Sequence, residues 1–229
     1  MTHDRLRLVI AWALLAFAAS LLRFKTVLSG DALFLDHLAT DLFIDGGRWS
    51  DWKFPVAPSF VPDMLLYFAA FPLLPDAATR IFAVSAAQAL LIAAASVWFA
   101  RAIHPALSRR AMAAIVLATA LVTLAAARSN MWLYFYSTNN HIAVLLFGFS
   151  GIVAAMRYLE RPSLVRALWL PLSVAAASVS TGLFLLTGTV SALLALGFSW
   201  LVVRGRRGLR GKVAALLVQV LGGVALASC

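Results

Sequence analysis

The longest uncharged segment of the chain runs from Ala167 to Val203, a total of 37 residues. A transmembrane helix needs about 20 mostly apolar residues to cross roughly 30 Å of hydrocarbon, so this segment is long enough for two crossings. We expect a helical hairpin that turns near Thr181-Gly182 or Thr187-Gly188, because glycine commonly ends helices. Such a hairpin predicts a polytopic membrane protein.

Further apolar blocks bring the expected number of transmembrane helices to about seven. They are Leu8 to Leu22, Ile81 to Ala100, Ala111 to Ala127, His141 to Met156 and Val213 to Cys229. The composition agrees, since 63% of the residues are hydrophobic and 12% are charged, against roughly 45–50% and about 25% in soluble domains. We therefore predict an all-α fold with a single transmembrane domain over residues 1–229, and exclude a soluble globular domain.

The basic residues predict the orientation of the chain, because short cytoplasmic loops carry an excess of Lys and Arg. With the N-terminus inside, 13 of the 19 basic residues lie on the cytoplasmic side and 7 of the 9 acidic residues lie outside. We predict a protein of the bacterial inner membrane with a cytoplasmic N-terminus. The basic loops lie next to lipid headgroups, so membrane lipid is an expected partner and nucleic acid is not.

The N-terminal segment has a second interpretation as a signal peptide. Arg5 and Arg7 would form its basic region, and Ala16-Phe17-Ala18 would be the cleavage motif. The apolar run continues past this motif through Leu22, which favours an uncleaved first span. The one cysteine, Cys229, excludes an internal disulfide.

The first outer loop, residues 23–80, is too long for a simple connection. Its first part, Asp31 to Asp45, has a helical stripe and a glycine stop at Gly46-Gly47, and we expect it to lie on the membrane surface. Residues 48–63 contain three prolines and are expected to form an extended strap with its tryptophans at the headgroups. Met64 to Leu74 has only 11 residues, too few to cross, so we predict a second interfacial or re-entrant helix.

Several aspartates of this loop are candidates for a chemical role. Asp31 is the candidate catalytic base, because it follows the first span, where a carboxylate on a helix can face a cleft at the membrane surface. Its alternative role is a helix N-cap. We predict that Asp36, Asp41 and Asp45 are solvated and that Asp63 caps a helix. The alternative for Asp36 is a partnership with Asp31, one and a half turns away.

Arg80, Arg128 and His141 are the candidate phosphate or lipid ligands, since all three lie at outer ends of spans. Arginine binds phosphate through paired hydrogen bonds, and histidine can donate to a phosphate or act as a base. The alternatives are snorkelling at the interface and helix capping. The aromatic second outer loop, residues 128–140, could stack on a sugar or an isoprenoid chain. No spacing of His, Cys and acidic residues indicates a metal site, and we predict no cofactor, while a divalent metal stays open.

Four segments follow one another in a characteristic order. They are Gly30 to Leu35, Asp45-Gly46-Gly47, the Trp- and Pro-rich Ser50 to Pro58, and Ala77 to Ile81 at the start of the next span. This order resembles the N-terminal part of the GT-C fold glycosyltransferases. These integral membrane enzymes use polyprenyl-phosphate sugars and include protein O-mannosyltransferases, aminoarabinose transferases and lipopolysaccharide core transferases.

The resemblance covers residues 8–100 and implies the inverting transfer of a sugar from a polyprenyl-phosphate donor to an extracytoplasmic glycan or lipid. It places the essential acid of the family on Asp31 and implies that Arg80, with Arg128 or His141, holds the phosphate. Members of the family are longer, so we expect a truncated relative. The alternative is a non-catalytic membrane protein that binds lipid or a partner subunit. Ala32 favours this alternative, because the usual family form has a second acid there.

Overall fold

The computed structural model describes residues 3–22, 30–54, 60–128, 142–180, 189, 192–197 and 207–227. All regular structure in these ranges is helical. The principal helices are α1 (His3–Ser20), α2 (Gly30–Thr40), α3 (Leu65–Ala70), α4 (Ala77–Ile103), α5 (Arg109–Arg128), α6 (Ile142–Glu160), α7 (Leu164–Ser180) and α8 (Arg207–Ala227). Short helical turns cover Asp41–Asp45, Trp49–Asp51 and Phe60–Met64.

Three helical segments of the described residues are long and apolar enough to cross a bilayer. They are Ala77–Ile103, Arg109–Arg128 and Gly208–Leu226. The prediction of an all-α membrane protein is therefore confirmed. The count of seven crossings stays a prediction, and both turns proposed for the hairpin between Ala167 and Val203 lie outside the described residues.

The sequence predicts one transmembrane domain. In the structure, the contacts between residues divide the chain into two compact units. The first contains Met1–Pro55 and Ser59–Ile142, and the second contains Val56–Pro58 and Ala143–Cys229. In the first unit α1, α4 and α5 form a core of small and branched side chains, with Leu15 and Val116 fully buried.

The starts of α1 and α5 are joined by an ion pair. The Nε atom of Arg110 donates to Oδ1 of Asp4 at 2.8 Å, and this hydrogen bond lowers the pKa of Asp4. The two helices therefore begin at the same end of the first unit.

The segment predicted as the first outer loop folds as a helical layer on the first turns of α4. We call residues 30–54 and 60–76 the loop layer. Its core contains Leu35, Leu38, Tyr67 and Ile81. The burial of Leu35 and Leu38 confirms the apolar stripe predicted for this segment. Burial of such a stripe, rather than helix propensity, provides most of the stability of a short helix in a folded protein.

The predicted glycine stop is confirmed at Gly46. This residue has a φ of 75°, in the left-handed region that glycine adopts without strain. Its N–H donates to the carbonyl oxygen of Asp41, which closes the turn at Asp41–Asp45. The chain can then reverse and lay residues 49–54 over α2.

Helix α4 begins with a side-chain cap. Asp76 accepts hydrogen bonds from the backbone N–H of Thr79 at 2.9 Å and from its hydroxyl at 2.7 Å. These bonds favour the charged carboxylate and lower the pKa of Asp76. The cap sets where α4 starts and so places Arg80 in its first turn.

In the second unit α6, α7 and α8 share a core that includes Leu170, Ala177 and Leu216. Helices α7 and α8 come close at Gly223, where a Cβ atom would lie 2.6 Å from the carbonyl oxygen of Pro171. The neighbouring Gly222 has nothing within 4 Å of a Cβ atom. Gly223 therefore permits the close approach, as small residues do between membrane helices.

Replacing Gly223 by Leu is expected to lower the free energy of unfolding by about 1–3 kcal/mol, because the new side chain overpacks the α7–α8 contact. Gly222→Leu is the matched control, with the same change one residue earlier in open space. The measurement is a dodecyl sulfate titration of the purified protein, followed by loss of helix signal. Equal shifts in both variants would show that the close contact is not the cause.

Candidate functional site

The loop layer and α4 meet at an ion pair between Asp36 and Arg80. The Nη1 atom of Arg80 lies 2.7 Å from Oδ1 of Asp36, and the two side chains are only 12% and 18% exposed. Asp36 lies in the middle of α2, and the two residues are 44 positions apart in the sequence. The prediction that Asp36 is solvated is therefore wrong, because the loop layer folds α2 onto the start of α4.

Arg80 is held by further groups of the same loop. Its Nε atom donates to the carbonyl oxygen of Leu74 at 2.9 Å, and Nη2 donates to that of Pro75 at 3.2 Å. The guanidinium also lies over the ring of Phe71, 4.2 Å from the ring centre. A planar guanidinium with five N–H donors can make all these contacts at once, which fixes its orientation.

Tyr67 is the second donor to Asp36. Its hydroxyl lies 2.7 Å from the same Oδ1 atom, and its side chain is fully buried. Burial and the hydrogen bond to the Asp36 carboxylate raise the pKa of Tyr67, so the phenol stays protonated at every physiological pH. Asp36 is thus positioned by one helix on each side, Tyr67 on α3 and Arg80 on α4.

Asp41 is also paired within the loop layer. Its Oδ2 atom accepts a hydrogen bond from the indole N–H of Trp52 at 2.6 Å, in a partly buried environment. The prediction that Asp41 is solvated is wrong for this reason, whereas Asp45 is exposed as predicted.

The predicted strap is not extended throughout, because a helical turn covers Trp49–Asp51, and its aromatic residues pack on one another and on α2. The ring centre of Trp49 lies 4.9 Å from that of Phe54 and 6.1 Å from that of Phe60. Trp49 stacks on Phe60 with an angle of 27° between the ring planes. Phe34 meets Trp52 edge-on at 5.7 Å. Contacts of this kind stabilise a packed arrangement beyond the area that they bury.

Asp63, for which the sequence predicts a helix cap, pairs with a side chain of α4. The residue is fully buried, and its Oδ1 atom accepts a hydrogen bond from Nε2 of Gln88 at 2.6 Å. The turn before α3 brings Asp63 against the middle of α4, because α3 packs on that helix.

An apolar groove of about 300 Å³ lies between α3 and α4. Leu66, Ala70 and Leu74 line it from the loop layer, and Ala83 and Ala87 line it from α4. Leu74 belongs to both features, since its side chain lines the groove and its carbonyl oxygen binds Arg80. The guanidinium of Arg80 therefore contacts a residue that lines an apolar groove.

The other predicted site residues are less closely connected with this pair. Asp31 is the second residue of α2, and the helical rise puts its Cα atom about 7.5 Å along the axis from that of Asp36. Arg128 is the last residue of α5 and is exposed. His141 lies outside the described residues. The structure thus joins Arg80 with Asp36 and Tyr67, neither of which the sequence singles out as a ligand.

In the part of the chain that the structure describes, no group of three or more His, Cys, Asp or Glu side chains could hold a metal ion. No protein-family model, curated protein sequence or solved structure matches the chain.

Proposed function

We propose that the protein is an inverting membrane glycosyltransferase. It would move a sugar from a polyprenyl-phosphate donor to a glycan or lipid acceptor on the outer side of the bacterial inner membrane. The proposal includes seven crossings, a cytoplasmic N-terminus and a GT-C type arrangement of the first outer loop. The unequal distribution of basic and acidic residues supports this orientation.

The observation that carries the proposal is the hydrogen bond from Arg80 to Leu74, a residue that also lines the apolar groove between α3 and α4. A polyprenyl phosphate has the same two parts, an anionic phosphate and an apolar chain. The Nη2 bond from Arg80 to Pro75 is the longest of its hydrogen bonds and is exposed. This N–H is the donor that can exchange its carbonyl partner for a phosphate oxygen, with the stronger bond that a charged acceptor makes.

The reaction needs only a few groups from the protein. The acceptor hydroxyl oxygen attacks C1 of the sugar while the bond from C1 to the phosphate oxygen breaks, and the electron pair of that bond leaves with the polyprenyl phosphate. Asp31 takes the proton of the hydroxyl. Arg80 faces the charge that develops on the phosphate. Asp36 and Tyr67 are positioning residues, because they hold the guanidinium and do not touch the donor.

A non-catalytic lipid-binding protein is the second candidate function. The observation that favours it is that Arg80 already has protein acceptors at Asp36, Leu74 and Pro75. A guanidinium with these partners can act as a structural clamp and still contact a lipid phosphate. This candidate shares the donor-binding site and differs in the absence of transfer.

Donor binding separates both candidates from a protein with no phosphate site. We expect saturable binding of polyprenyl phosphate to the purified full chain in detergent. Arg80→Ala should lower the affinity at least about tenfold, because a hydrogen bond to a charged group contributes about that much to binding. Tyr67→Phe is the control, because it removes a different donor to Asp36 and leaves the guanidinium. The proposal is wrong if the native chain shows no saturation, or if Tyr67→Phe weakens binding as much as Arg80→Ala.

A further inference from the structure

The second unit contains a cavity of about 500 Å³ between α6, α7, α8 and residues 192–197. This volume lies within the range of roughly 300–1,000 Å³ found for small-molecule sites. Thr189 is the one polar side chain among the described residues that line it. The cavity therefore suits an apolar occupant.

Small residues on one face of α6 create this space. Gly148, Gly151 and Ala155 line the cavity, and a Cβ atom at Gly148 would meet nothing within 4 Å. The lining of α6 extends to Leu159, and eleven residues of helix span roughly 16 Å. The cavity is thus long enough to take an extended hydrocarbon chain.

A group of basic residues lies at the Leu159 end of the cavity. The ammonium of Lys212 donates to the carbonyl oxygen of Leu159 at 2.6 Å. Arg166 donates to the carbonyl oxygens of Arg157 at 3.1 Å and Arg161 at 2.6 Å. We call Arg157, Arg161, Arg166 and Lys212 the cation cluster.

The charge of the cation cluster is not balanced within its own unit. The hydrogen bonds that join the cluster use backbone carbonyls, and the sequence from Ala143 to Cys229 contains one acidic residue, Glu160, against eight Lys and Arg. The negative end of the α6 dipole is equivalent to only about half a charge. The cluster therefore attracts an external anion.

We infer that the second unit binds one anionic phospholipid, with an acyl chain in the cavity and its phosphate at the cation cluster. Leu159 connects the two parts, because its side chain lines the cavity and its carbonyl oxygen holds Lys212. Basic pockets between membrane helices bind anionic headgroups in this way. The inference uses different residues from the proposed function and does not depend on it.

The test compares two lipids with identical chains, dioleoylphosphatidylglycerol and dioleoylphosphatidylcholine, on the purified full chain in detergent. Native mass spectrometry counts the lipid molecules that each protein retains. We expect the native chain to retain the anionic lipid at least about fivefold better than the phosphatidylcholine. Arg161→Gln should lower this preference by about fivefold, because one charge near the membrane surface contributes about that much to lipid binding. Arg161 is exposed, and its backbone carbonyl is unchanged in this variant.

The chain part of the site is tested by filling the cavity. Gly148→Leu is expected to lower retention of both lipids by about tenfold or more, since the new side chain occupies the space of several methylenes. Gly222→Leu is the matched control and is expected to retain lipid as the native chain does. Ala155 lines the same cavity, so Ala155→Phe is the second variant to test if Gly148→Leu does not fold.

Three results would overturn the inference. Equal retention of the two lipids by the native chain would remove the role of the cation cluster. Full retention by a folded Gly148→Leu or Ala155→Phe would show that the cavity is not the site. Equal losses in Gly148→Leu and Gly222→Leu would assign the effect to the helices in general.

Discussion

Replacing Asp31 by Asn is expected to lower sugar transfer by about 10²–10⁴-fold, the usual contribution of a general base. Asn has nearly the same size and shape as Asp, so this change removes the proton acceptor with little other change at the start of α2. Donor affinity should stay near that of the native chain. The measurement is release of polyprenyl phosphate from its glycosylated form by proteoliposomes, with an acceptor extract from the same membrane.

Asp45→Asn is the matched control for this prediction. Asp45 ends the same helical segment as Asp31, and its side chain is exposed. Its replacement removes one negative charge from the same loop and should change transfer by less than about twofold. Native rates in Asp31→Asn would exclude Asp31 as the base. Absence of transfer in the native chain, with donor binding intact, would favour the lipid-binding function.

Breaking the ion pair between Asp36 and Arg80 is expected to lower the free energy of unfolding by about 3 kcal/mol. Arg80→Ala leaves the Asp36 carboxylate largely buried, with Tyr67 as its remaining donor among the residues that the structure describes. A buried charge without a partner destabilises the fold by more than the ion pair itself stabilises it. The free energy of unfolding therefore falls further than for a surface pair, which contributes only about 0–1 kcal/mol. The measurement is a dodecyl sulfate titration of the purified protein.

A double-mutant cycle isolates this interaction. Asp36→Asn combined with Arg80→Ala removes both charges, so the double variant should be more stable than Arg80→Ala alone. Arg7 and Asp4 provide the control, since this pair is 3.5 Å apart and its side chains are 56% and 35% exposed. Arg7→Ala should change stability by less than about 1 kcal/mol. Additive effects at Asp36 and Arg80 would contradict a coupled pair.

The local features of the loop layer could be predicted from the sequence. The stripe through Leu35 and Leu38 has helical spacing, and Gly46 supplies the left-handed residue that ends the segment. Both follow from interactions between residues that are close in the chain. The apolar blocks that became α4 and α5 could be predicted for the same reason.

The contacts of the candidate site could not be predicted in this way. Arg80 and Tyr67 reach Asp36 from 44 and 31 residues away, and Gln88 reaches Asp63 from 25 residues away. A local pattern shows that an aspartate flanks a buried stripe, but the partner depends on how the helices pack. One feature of the sequence could have indicated the burial of Asp36. Asp36 lies next to Leu35, at the edge of the apolar stripe, where a side chain can become largely buried.

The aspartates that the sequence analysis placed in solvent share a physical explanation. Asp36 and Asp41 lie on a loop that was expected to lie flat on the membrane surface. Trp52 instead packs on Phe34 of α2 and binds Asp41, while Asp36 contacts Tyr67 of α3 and Arg80 of α4. These contacts withdraw both carboxylates from water. Each then needs a hydrogen-bond donor, which Tyr67, Trp52 and Arg80 provide.

The most direct test of the central claim compares polyprenyl phosphate with the uncharged polyprenol of the same chain length, as ligands of the purified native protein. We expect saturable binding of the phosphate and at least about tenfold weaker binding of the alcohol, because the proposed contact with Arg80 needs the phosphate. Equal affinity for the two ligands, or saturable binding of neither, would contradict a phosphate site at Arg80.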